Sequence, residues 1–135
     1  MFKETNRNMQ EQLITFETAK LAKEKGFNEI CKTAYGRNAD SLYYGNCTHK
    51  NSENIFLSAP TQNLLQKWLR EVHNIYVEIS FNQKYENPRF GYIVRTKSTC
   101  FHTRDFPYKT YEEALEIGLQ ESLKLIEIVK DGENR

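Results

Sequence analysis

The sixteen residues LLQKWLREVHNIYVEI, Leu64 to Ile79, change hydrophobic period in the middle. At about 100° per residue Leu64, Leu65, Trp68, Leu69 and Val72 share one stripe, with Gln66, Lys67, Arg70 and Glu71 outside it, so a core-facing helix is predicted. Pro60 and Thr61 provide its entry. From Ile75 the period becomes two, with Ile75, Val77, Ile79 and Phe81 on one side and Tyr76, Glu78 and Ser80 on the other. Asn74, which tolerates left-handed backbone, stands at the change. A helix therefore turns directly into a half-buried strand. His73 sits at the join, where it can donate to the last helical carbonyls, and a terminus role is predicted for it rather than a catalytic one.

The downstream sequence continues the pattern. Pro88 ends a loop, and FGYIVRT (Phe90–Thr96) and STCFHTR (Ser98–Arg104) predict two more strands joined by a tight turn at Lys97 and Ser98. Thr110 with Glu113 forms a capping box for a last helix running to about Lys130. Its stripe is Tyr111, Ala114, Leu115, Gly118, Leu119, Ser122, Ile126 and Val129, and its small residues allow a close approach to a sheet. Ile117 and Ile128 project from a second side and are candidates for an interface.

The first half is less regular. A helix from the N-cap Thr15 to the stop at Gly26 is predicted, with Phe27 as the hydrophobic contact of its C-cap. EICKTAYG, SLYYGN and NIFLSA have strand composition, separated by GRNAD and THKNSEN as turns, which gives two or three short strands. The predicted class is α+β: a three-stranded antiparallel sheet with two helices on one face (α-β-β-β-α), preceded by an N-terminal helix and two or three short strands. Residues 1–12 are assigned to a flexible arm, 13–130 to one domain and 131–135 to a tail.

The 135 residues suit one domain, and nineteen basic against eighteen acidic side chains leave a formal charge of +1, so no whole-molecule field favours nucleic acid or membrane. Three cysteines, Cys31, Cys47 and Cys100, follow no disulfide-scaffold spacing and suit a reducing compartment. No stretch has the roughly 18 apolar residues of a membrane span. The expectation is a soluble cytoplasmic protein without a membrane partner.

No sequence motif specifies a reaction, so neither a catalytic residue nor a cofactor is predicted, and the enzyme reading is disfavoured. Two Cys-x-His pairs, Cys47 with His49 and Cys100 with His102, place a thiol and an imidazole on one strand face at a spacing that zinc chemistry allows but does not commonly use. They are weak metal candidates. A stronger surface is the outer face of the predicted sheet, carrying Tyr76, Glu78, Ile93, Arg95, Cys100, His102 and Arg104. Lys84, Arg89, Lys97 and Lys109 flank it. Tyr76, Arg95, Lys97, His102 and Arg104 are the candidate ligand residues, and basic groups around an aromatic suit a phosphate-bearing ligand.

The order helix, strand, strand, strand, helix from Thr61 to Lys130, with NPRF leading into the second strand, resembles the double-stranded RNA-binding domain over about half the chain. Where that family presents lysines at the head of the last helix, this chain reads YEEALE, with Glu112, Glu113 and Glu116. A second resemblance rests on APTQNLLQKWLREVHNIYVEI, GYIVRT and YEEALEIGLQESLKLI, together with Thr15 to Gly26. These segments are similar to a group of short uncharacterised proteins encoded by phages and prophages of gut bacteria. That likeness implies a mobile-element accessory protein in the cytoplasm of a bacterial host cell, with no catalytic motif to transfer. The function expected is a non-catalytic binding or interaction module directed at a host protein, such as a defence component, or at a second copy of itself; the alternative is a binder of nucleic acid or a small nucleotide through the basic sheet face.

Overall fold

The computed structural model describes residues 9–36, 41–51, 56–84 and 86–127, and for 45–49 the backbone alone. Its elements are α1 (Phe16–Glu24), β1 (Cys31–Tyr35), β2 (Leu42–His49), β3 (Leu57–Ser58), α2 (Gln62–His73), β4 (Tyr76–Asn82), β5 (Arg89–Arg95), β6 (Cys100–His102) and α3 (Tyr111–Lys124). Two three-stranded antiparallel sheets result, in the orders β2-β1-β3 and β4-β5-β6. The predicted α+β class and its α-β-β-β-α unit are both present.

The helix ends follow local chemistry. The Thr15 hydroxyl accepts from Thr18 N, and α1 ends with Phe27 N on Ala22 O and Gly26 N on Lys23 O, the two bonds of a Schellman motif. Gly26 supplies the φ of 92° that this closure requires. Thr61 caps α2 through Leu64 N at 3.1 Å, and Asn74 adopts φ 56°, ψ 36° while Ile75 N returns to Leu69 O. The join in the opening stretch is thus a left-handed asparagine followed at once by β4. In α3 the Thr110 hydroxyl takes Glu113 N, and the Glu113 carboxylate takes Lys109 N, one residue outside the reciprocal position of the capping box.

The core lies around α3. Leu115, Leu119 and Leu123 pack among Leu65, Trp68 and Leu69 of α2, Val77 and Val94 of the second sheet, and Ile14, Ala19 and Ala22 at α1. A Cβ added to Gly118 would come within 2.9 Å of Val77 and 3.2 Å of Tyr92, so glycine is what lets α3 approach β4 and β5. Three side chains predicted to be buried are not: Val72 is 59% exposed, Phe81 60% and Tyr111, at the first turn of α3, 44%. Val72 belongs to the last turn of α2, where the half-buried His73 takes the inner position, its ring edge-on to Trp68 at 4.7 Å. Phe81 keeps the inner sheet side but lies toward the rim, where it meets Phe90 at 6.4 Å. Likewise α3 ends at Lys124, short of the predicted Lys130, because Leu125 N and Ile126 N tighten onto the carbonyls of Ser122 and Leu123. Val129 lies outside the described residues.

A polar cluster was not foreseen. Glu116, read from sequence as part of an acidic helix head, is buried. Its carboxylate accepts from Thr15 N and Thr15 Oγ1 at 2.9 Å each, from the Thr18 hydroxyl, and from Gln62 Nε2 at 2.9 Å. One side chain of α3 thereby holds the start of α1 and the start of α2. The N-cap position explains why an anion is tolerated there, since the backbone N–H groups of α1 point at it.

Candidate outer sheet face and hairpin cleft

The register of β4, β5 and β6 fixes which side chains share the outer face. Tyr76 pairs with Arg95 and Arg95 with Cys100; Glu78 pairs with Ile93 and Ile93 with His102. These two rungs bring together six of the seven outer-face residues in adjacent strands, with Glu78 beside Arg95. Tyr76, Glu78, Arg95, Cys100 and His102 are exposed, and Ile93 between them is half-buried. Among the described residues the N-terminal sheet meets the rest of the fold through α1, which contacts both β3 and α3.

The charges are less free than the sequence suggested. Arg95 Nε donates to Glu78 Oε1 at 3.0 Å, an exposed pair that raises the guanidinium pKa above its ordinary value and occupies part of its donor fork. Arg95 Nη1 also approaches Cys100 Sγ at 3.6 Å. Arg89 is engaged too, with Nε on Phe106 O and Nη2 on Pro107 O, where it holds the connection between β6 and α3. Lys97 is exposed at the tip of the β5–β6 hairpin. Arg104 falls past the end of β6, exposed, and joins neither rung. His102 is oriented by its Nδ1 against Thr103 O at 2.8 Å.

The hairpin tip contributes groups that sequence reasoning passed over. Thr96 Oγ1 accepts from Thr99 N at 2.9 Å and from Ser98 N at 3.3 Å, so the loop closes on a side-chain hydroxyl. A cleft of about 550 Å³ lies between this loop and the ends of α2 and α3, lined in part by His73, Asn74, Lys97, Ser98 and Glu127. A shallower recess of about 340 Å³ at Asn74, Tyr76, Thr96 and Lys97 links it to the outer face. His73 thus borders a cleft, with its pKa lowered by burial. The T-S-T run around Lys97 was the available signal for a hydroxyl-closed loop.

The two Cys-x-His pairs belong to different sheets, Cys47 and His49 to β2 and Cys100 and His102 to β6. The side chains of Cys47 and His49 lie outside the described residues, and among the described residues no three His, Cys, Asp or Glu side chains group as a metal site would need. Cys31 is buried, its thiol pushed up to about 11 by burial and by Glu29, which makes it a poor nucleophile. Ile117 is half-buried on α3, and Ile128 lies outside the described residues. Among the described residues no helix is long and apolar enough to cross a membrane. No protein family, curated protein or solved structure matches the chain in comparison.

Proposed function

We propose that the chain is a non-catalytic binding module that offers the outer face of β4, β5 and β6 to a protein partner. The observation that carries this reading is the pair of rungs Tyr76–Arg95–Cys100 and Glu78–Ile93–His102, an open patch with an apolar centre. Tyr and Arg beside a half-buried aliphatic are the residue types that dominate protein recognition when a partner excludes water from them. Arg95 is compensated by Glu78, which suits a partner of mixed charge better than a polyphosphate. The likeness to phage and prophage proteins supports a host protein inside a bacterial cell as that partner, and an accessory role such as blunting host defence.

A second reading, binding of nucleic acid or a nucleotide, is favoured by one observation. Six cations, Lys84, Arg89, Arg95, Lys97, Arg104 and Lys109, stand on or around this hairpin region against the three anions Glu78, Glu86 and Asp105. Photo-crosslinking separates the two. A benzophenone side chain at Ile93, introduced in the bacterial host, is expected to yield a discrete protein adduct that a control at exposed Val72 does not give and that Tyr76→Ala weakens. Identical adducts from both positions, or none, would sink the interaction reading. For the second reading, the double variant Arg95→Ala, Arg104→Ala should lose binding of labelled oligonucleotides or nucleotides; unchanged binding removes it.

A further inference from the structure

β4 is an outer strand of its sheet, paired to β5 along its whole length and, among the described residues, to no other strand. The pairing parity can be read from its surroundings. Gln66 Nε2 donates to Val77 O at 2.8 Å from the side away from β5, and Ile75 N likewise turns away to Leu69 O. Odd-numbered residues of β4 therefore direct their backbone N–H and C=O to the free edge, and even-numbered ones direct theirs to β5. Beyond the Gln66 cap, the edge offers the amides and carbonyls of Ile79 and Phe81, which have no hydrogen-bond partner among the described residues. Phe81, 60% exposed, stands at this end of the edge.

We propose that this edge pairs with the same edge of a second copy, antiparallel and centred on Ser80, to give one continuous six-stranded sheet. In that register Ile79 of each copy exchanges two hydrogen bonds with Phe81 of the other, which uses the open edge groups, while Val77, held by Gln66, falls opposite Gln83, one residue past the end of β4. Any register centred nearer the start of β4 would have to displace Gln66. Side chains also match. Glu78 faces Asn82 of the other copy, Ile79 covers its exposed Phe81, and Lys84 arrives diagonal to Glu78, so like charges never oppose. Long open strand edges that nothing covers are templates for such pairing. The outer face would run on across the two-fold axis, doubling the surface offered, although the dimer does not depend on what that surface binds.

Disulfide trapping tests the register. In a Cys47→Ser, Cys100→Ser background, Ser80→Cys puts two thiols on a non-hydrogen-bonded pair about 4.5 Å apart between Cα atoms, inside the bridging range. Glu78→Cys places them about 13 Å apart. Mild oxidation is expected to trap a dimer from Ser80→Cys severalfold more than from Glu78→Cys. Phe81→Pro, which removes an edge donor without touching a bond to β5, is expected to leave the otherwise unaltered chain monomeric by light scattering with its circular dichroism retained. Equal trapping from the two positions, or an otherwise unaltered chain that is monomeric at every concentration, would overturn the proposal.

Discussion

At the scale of single residues, His73 shows how a polar group at a structural joint acquires a measurable property. Its ring lies edge-on to Trp68, and burial lowers its pKa from the ordinary 6.5. Between the ordinary value and the lower folded one the unfolded chain binds more protons than the native chain. His73 therefore contributes stability that is fully present above pH 6.5 and declines as pH falls through that window. The lone tryptophan reports the event directly. Trp68 fluorescence should titrate with a midpoint below 6.5, and the transition should vanish in His73→Asn. A midpoint above 6.5 would mean that the helix terminus outweighs burial.

At the scale of elements, Gly118 decides how closely α3 lies on its sheet. Gly118→Ala adds a Cβ within 2.9 Å of Val77. The gain of about 1 kcal/mol in helix propensity is outweighed by overpacking of roughly 1–3 kcal/mol, so urea denaturation should show a net loss. The elements themselves were largely legible. Change of period at Asn74, the Thr15, Thr61 and Thr110 caps and the strand alternation each rest on one local rule, and each rule operates in the structure. Val72 and Phe81 were misread because periodicity assigns a side but not a length of cover, and the layer they face stops short of both. Glu116 was misread for a related reason: a helix head shows three glutamates alike, and only the arrival of α1 and α2 makes one of them interior. On the candidate site, alternation placed Tyr76, Arg95, Cys100 and His102 on one face. The Arg95–Glu78 pair depends on strand register, and the hairpin cleft on the meeting of α2 with β5 and β6, neither of which a single strand's pattern contains.

At the scale of the molecule, the Glu116 cluster joins the N-terminal third to the α-β-β-β-α unit. Glu116→Ala would leave Thr15 N–H, the Thr18 hydroxyl and Gln62 Nε2 without their shared acceptor. A loss of about 3 kcal/mol is expected in chemical denaturation, larger than for Glu113→Ala at the exposed head of the same helix. If the two variants cost the same, the two parts are not coupled through this residue. The N-terminal third is thereby tied to α3 through α1, and among the described residues the outer face of β4, β5 and β6 stays open. Thiol labelling of the folded Cys47→Ser protein tests that openness most directly. Cys100, on the outer face, should react with a maleimide nearly as fast as in denaturant, while buried Cys31 stays protected. Protection of Cys100 in the native protein would show that the face is covered, and would contradict the account.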